Sequence, residues 1–219
     1  MVEIALPQAC GQTDRSAEFS MSRALDILLS CVALTLFAPI MILVAGCIYV
    51  EDGGSAIFMQ RRLGRGGCLF GCLKFRSMRV DAEAVLGSLL ANDPASRAEW
   101  EGSRKLRQDP RVTRVGSFIR KFSLDELPQF WNVLVGDMSL VGPRPIVQAE
   151  AIKYGRRLGY YYSVRPGLTG LWQVSGRSDA SYRSRVAMDV IYCRSRRLSL
   201  DLRILAATIP AVLIGRGSY

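Results

Sequence analysis

The chain has 219 residues, enough for one compact domain or one domain plus an appendage. Its 29 Lys and Arg against 19 Asp and Glu leave a net charge of +10, which points to polyanionic company: nucleic acid, anionic lipid or a phosphorylated substrate. It has no histidine, which excludes Ser-His-Asp and Cys-His catalysis and every His-ligated metal. Any acid, base or nucleophile must be a carboxylate, Cys, Lys, Tyr, Ser or Thr.

Residues 1–20 form a polar lead of mixed charge. From Ile27 to Val50 there is no charged residue, more than the roughly 18 apolar residues that mark a membrane helix. Pro39 sits near the middle, where it removes a backbone hydrogen bond. Basic residues flank both ends, Arg15 and Arg23 before and Arg61, Arg62 and Arg65 after. Positive charge on both sides places both ends on the cytoplasmic face. A kinked re-entrant helix over 21–50 meets both constraints; a bitopic helix and a buried core helix remain open.

Residues 51–198 read as an α+β body rich in turns. Ala56–Arg62 and Leu69–Arg76 are strands joined by a turn with Gly64, Gly66 and Gly67, which reads as a hairpin; a phosphate loop is the weaker alternative. Asp81–Leu90 reads as a helix and Asn92–Gln108 as a mobile surface loop. Gly116–Lys121, Pro128–Val135, Ile146–Leu158 and Ser181–Arg196 read as helices. In 199–219 a short apolar stretch, Ile204–Ile214, is interrupted by Pro210. It is either an interfacial helix or a helix packed on the body. Six scattered cysteines suggest free thiols and a reducing compartment; Cys68 and Cys72 alone make a weak metal motif.

The main chemical candidate is Asp125-Glu126. Adjacent side chains diverge on a helix or strand, so the pair divides roles, one carboxylate toward a substrate and one toward a metal. Pro128 belongs in a first helical turn, and the positive end of that helix favours an ionised Asp125. The plainer reading is a capping box from Ser123 to Glu126. Around the pair lie Arg111, Arg114, Arg120, Arg144, Arg165 and Arg177. Any one of them reads as a solvated charge, but Arg144 lies between two prolines, Arg165 precedes Pro166-Gly167 and Arg177 follows Ser175-Gly176. Such settings restrict the backbone, and guanidinium forks suit phosphate oxygens. Lys74 and Arg76 end a candidate strand. Trp172 reads as core, or with Gln173 as a contact to a base or sugar ring.

The runs KFRSM (74–78), DPRVTRVGSFIRKFSLDELPQFWNVLVGDMSLVGPRP (109–145) and RPGLTGLWQVSGRS (165–178) closely resemble the bacterial sugar transferases, the monotopic polyprenyl-phosphate phosphoglycosyl transferases of the exopolysaccharide-initiating type. The resemblance covers Ser22 to Arg216. It implies a re-entrant membrane helix broken at Pro39, a small, mostly helical catalytic domain with a short β-hairpin on the cytoplasmic face of the inner membrane, and interfacial amphipathic helices. It implies transfer of a sugar 1-phosphate from a UDP-sugar, galactose or glucose by similarity, to undecaprenyl phosphate, with Mg²⁺ and release of UMP. By match to DELPQ, Asp125 is the nucleophile and Glu126 the Mg²⁺ ligand; Arg120, Arg144 and Arg177 align with phosphate-gripping arginines. Arg165, Lys74, Arg76 and Arg111 complete the substrate-binding set. Some members have serine before the break proline, whereas Ala38 stands here. The chain looks like the minimal catalytic unit, acting on membrane lipid and not on nucleic acid, with a homodimer as one assembly. Two readings compete: a membrane-tethered basic module for nucleic acid or anionic lipid, and a plain glycosyltransferase that releases UDP.

Overall fold

The structure, a computed structural model, describes residues 21–103, 106, 108–175 and 181–213. The apolar run forms one helix, α1 (Met21–Asp52), with Pro39 inside it. It is long and apolar enough to cross a membrane. Its two ends are fixed to the body by polar groups. Near the start, Arg23 donates to the carbonyls of Val133 (2.6 Å) and Leu134 (2.8 Å). Asp26 is buried and accepts from the Ser139 hydroxyl (2.9 Å) and the Leu140 N–H (2.9 Å). Near the far end, Glu51 accepts from the Arg114 N–H (2.9 Å), and Asp52 pairs with Arg76. Val44 and Ile48 pack with Phe75 and Ile119. Leu28, Val32, Leu36, Ile42 and Leu43 face outward.

The expected hairpin forms from β1 (Ile57–Leu63) and β2 (Leu69–Phe75), antiparallel with Gln60 opposite Cys72. Positive φ at Gly66 and Gly67 lets the chain reverse. Next come α2 (Ala82–Asn92) and α3 (Pro94–Ser103). The surface loop expected over Asn92–Gln108 is therefore corrected to a helix over much of its length. The cause is local: the Asp93 carboxylate accepts from the Ala95 N–H (3.0 Å) and the Ser96 hydroxyl (2.5 Å), with Pro94 at the first helical position.

Two helices follow, α4 (Arg114–Lys121), capped by Thr113, and α5 (Gln129–Val135), which Gly136 ends with φ 97°. Two three-residue strands, β3 (Ser139–Val141) and β4 (Gly167–Thr169), pair in parallel. The helix expected over Ile146–Leu158 is corrected to 3-10 turns at Gln148–Lys153 and Gly155–Arg157, with Gly155 at φ 51° breaking the run. The chain closes with α6 (Leu158–Tyr162), α7 (Leu171–Ser175), α8 (Tyr182–Ser195) and α9 (Leu198–Leu213).

One core gathers Val133, Met138, Leu140, Val141, Tyr192 and Ile204 between α5, β3, α8 and α9. The C-terminal helix thus sits on the body along one side, with Ile204 buried and Leu202 and Ile209 exposed. Trp172 is core. Among the described cysteines, Cys31, Cys47, Cys72 and Cys193 are free thiols. Cys68 is disulfide-bonded, which corrects the expectation of free thiols throughout.

Candidate active site

Three strips of chain meet at one cavity. The first is the hairpin. Side chains alternate along a strand, so Cys72 and Lys74 share a face of β2, and the register places Arg62 of β1 on that face too. The side-chain amide of Asn132 fastens α5 to this strand, accepting from the Leu73 N–H (2.9 Å) and donating to the Gly71 carbonyl (2.7 Å).

The second strip joins α4 to α5. Gly116 of α4 lies so close to residue 77 that an added Cβ would fall 2.0 Å from the Ser77 carbonyl oxygen. Arg120 then donates through Nε to the Ser77 hydroxyl (2.8 Å). Ser123 takes φ 55° and turns the chain into a 3-10 turn, Leu124–Glu126. Its side chain makes no cap bond, so the capping-box reading is not realised. Glu126 instead accepts from Lys74 Nζ at 2.8 Å.

The third strip carries Arg144. The Gly142 N–H donates to Thr169 (2.9 Å), the Gly167 N–H to Pro143 (2.8 Å) and the Ser139 N–H to Pro166 (2.9 Å). Gly142 and Gly167 touch backbone to backbone; a Cβ on Gly167 would lie 2.0 Å from the Gly142 nitrogen. Tyr161 ties Ile146, two residues after Arg144, to the hairpin, accepting from the Ile146 N–H (3.2 Å) and donating to the Leu63 carbonyl (2.7 Å). Arg144 therefore projects from a loop pinned on both sides.

Arg62, Lys74, Arg144, Glu126, Gln129 and Gln173 line the resulting cavity. Arg62 donates to the Pro145 carbonyl (3.1 Å) and the Gln60 side chain (2.6 Å). Burial and the nearby Arg144 guanidinium both lower its pKa, the condition of two cations sharing a site built for an anion. Burial alone would raise the Glu126 carboxyl, but Lys74, Arg144 and Arg62 outweigh it and hold it below the ordinary range. Asp125, half-buried in the same turn, goes the other way. Burial and the Glu126 charge push it up, against Lys74 and Arg120. Against the helix start, which favours the carboxylate, desolvation acts in the opposite direction on Asp125.

Of the residues singled out from sequence, Lys74, Glu126, Arg144 and Gln173 line this cavity, with Asp125 beside it. Arg76 is engaged by Asp52, and Arg165 donates to the Gly136 carbonyl (2.9 Å). Arg111 pairs with Asp109 (2.6 Å) and stacks over Trp100. Arg177 lies outside the described residues. Arg62 and Gln129 were not anticipated. For Gln129 a signal existed: it follows Asp125 by four residues and Glu126 by three, a spacing that shares one helical face.

Three cationic side chains around one carboxylate suit an anion that brings its own metal. Among the described residues no cluster of three carboxylate or thiol ligands occurs. Mg²⁺ is commonly held by one or two carboxylates plus substrate phosphates, and Glu126 is the carboxylate that lines this cavity.

The bacterial sugar transferase family matches residues 17–215. The chain is 49% identical to the exopolysaccharide production protein ExoY of Sinorhizobium fredii, over 90% of this chain and 87% of that one. It is 51% identical to the undecaprenyl-phosphate galactose phosphotransferase of Salmonella typhimurium, over 94% of this chain but 43% of the relative. A third relative, the UDP-glucose:undecaprenyl-phosphate glucose-1-phosphate transferase of Caulobacter vibrioides, is 39% identical over 95% of this chain and 76% of its own length. The chain thus spans most of some relatives and less than half of others.

Proposed function

The chain belongs to the bacterial sugar transferases, and from that premise we propose that it moves a sugar 1-phosphate from a UDP-sugar to undecaprenyl phosphate, beginning an exopolysaccharide. The observation that carries this reading is the convergence of Lys74, Arg144, Arg62 and Glu126 on one cavity beside Asp125. The names of the relatives from Salmonella and Caulobacter point to galactose and glucose as the donor sugars.

Two displacements complete the reaction. An Asp125 carboxylate oxygen attacks the phosphorus that bears the sugar; the bond from that phosphorus to the bridging oxygen of the diphosphate breaks, and UMP leaves with that oxygen. The enzyme then holds a phosphosugar as a mixed anhydride on Asp125. An oxygen of the polyprenyl phosphate attacks the same phosphorus, the Asp125 oxygen departs as carboxylate, and a polyprenyl diphosphate sugar is released. Splitting one displacement into two through a carboxylate is nucleophilic catalysis. Phosphoryl transfer otherwise asks for positioning and charge neutralisation, which Arg62, Lys74 and Arg144 supply from fixed settings. Glu126 would hold Mg²⁺, whose chemistry is to neutralise diphosphate charge.

A polyprenyl acceptor places the site at a bilayer. Both ends of α1 are fastened to one body while its middle presents apolar side chains outward. This favours a re-entrant insertion with the body on the cytoplasmic face, supported by the basic flanks of the run. The outward Leu202 and Ile209 of α9 would lie at the same interface.

The test is nucleotide release. Purified protein, polyprenyl phosphate and Mg²⁺ are mixed with a panel of UDP-sugars, and UMP and UDP are assayed separately. UMP with one or two sugars establishes the reaction and names the donor; UDP alone overturns it.

A further inference from the structure

We propose that Gln129 reads the transferred half of the donor, its side-chain N–H₂ donating to an oxygen of the sugar 1-phosphate. The inference rests on the reaction proposed above. Gln129 is 3% exposed, and its Nε2 meets no hydrogen-bond partner among the described residues. A buried amide left unpaired is costly, so a fold that keeps one has a use for it. Gln129 lines the cavity with Lys74, Arg144 and Glu126.

The surroundings define what it binds. Gln129 opens α5, and Pro128 before it has no N–H and a fixed φ of −60°. Asn132, one turn further on, is locked to β2 by two hydrogen bonds. Gln129 is therefore held at the start of α5, just after the turn that carries Asp125. Lys74, Arg62 and Arg144 supply positive charge enough for the phosphates. A neutral, oriented donor adds direction, and an unpaired buried N–H discriminates against any ligand lacking the matching oxygen. That oxygen is either on the transferred phosphoryl group or on a sugar hydroxyl, and the two are separable.

The experiment uses Gln129→Met and Gln129→Glu in the full chain, with UMP release measured over the UDP-sugar panel and thermal unfolding followed in parallel. Gln129→Met keeps the side chain's length and removes the donor. The expected result is a tenfold or greater fall in kcat/KM with a melting temperature equal to or above that of the wild type, because a buried unpaired donor is gone. Gln129→Glu separates the oxygens. A sugar hydroxyl can donate to the carboxylate, so activity persists on sugars that carry it and the donor preference changes. A phosphoryl oxygen cannot, so activity falls on every sugar. Wild-type kcat/KM in Gln129→Met across the panel overturns the inference, as does a lowered melting temperature with kcat/KM lost only in proportion to unfolded protein. A wild-type enzyme that yields no UMP overturns the reaction itself, a distinct outcome.

Discussion

The long apolar helix and the cavity use polar groups in opposite ways. Along α1 most side chains are apolar and outward, and a few polar ones at its ends, Arg23, Asp26 and Glu51, are spent on backbone groups of the body. At the cavity the polar side chains face inward and retain capacity for a ligand, while backbone contacts such as Gly142 to Gly167 hold them in place. The first region positions an apolar surface by satisfying polar atoms. The second positions polar atoms by close-packed backbone. A side chain spent on the body and one facing a cavity are thus different things even when both are arginine, as Arg23 and Arg144 show.

That distinction breaks most visibly at Asp125. Asp125→Asn should reduce UMP release by about 1,000-fold or more while the protein still folds, since a residue making a covalent bond loses nearly all catalysis when replaced. An Asp125→Asn protein with wild-type turnover would refute the nucleophile assignment. Arg144→Ala should lower kcat/KM about 10- to 100-fold, the scale of a lost charged contact to phosphate, with little change in melting temperature. Asp26→Ala should do the reverse. It strands the Ser139 hydroxyl and the Leu140 N–H, at a cost of about 1–3 kcal/mol, read as an earlier unfolding transition in detergent with the turnover of the remaining folded protein preserved. If Asp26→Ala instead abolished turnover without destabilising, the two regions would not be separable.

Two pH experiments refine the contrast. An ionised Asp125 is the reactive form, so activity is lost as pH falls through a pKa that burial and Glu126 have raised. Lys74 opposes that rise; Lys74→Met should shift the acid limb of the kcat/KM profile to higher pH. The second concerns Asp189, buried on α8 and bonded by the Tyr154 hydroxyl (2.6 Å). Desolvation pushes its carboxyl up to about 7. With the folded value above the unfolded one, its stabilising contribution is full below about pH 4 and lost as pH rises to about 7. Asp189→Asn should flatten that part of the melting-temperature profile relative to wild type.

What the sequence disclosed follows from how local each feature is. The hairpin and α1 were legible because two short strands around a glycine-rich turn, and an uncharged run, are properties of neighbouring residues. The pairing of β3 with β4 joins Ser139 to Gly167, and no local pattern announces it. Helix α3 was misread because its polar composition looks like a loop, and only the Asp93 cap bonds decide otherwise. At the site, Asp125, Glu126 and Arg144 stood out through unusual neighbours and the family resemblance. Arg62 did not, because it read as part of a basic flank until the strand register placed it opposite Phe70 and on the face of Lys74.

The pins of α1 also impose an order on biosynthesis. Arg23 waits for Val133, 110 residues later, and Ser22 for Asp201, 179 residues later. At roughly 5–20 residues per second, the apolar helix emerges well before any group able to receive Asp26 has been made. Docking of the helix therefore waits on the rest of the chain, and the body closes around a segment made long before its partners.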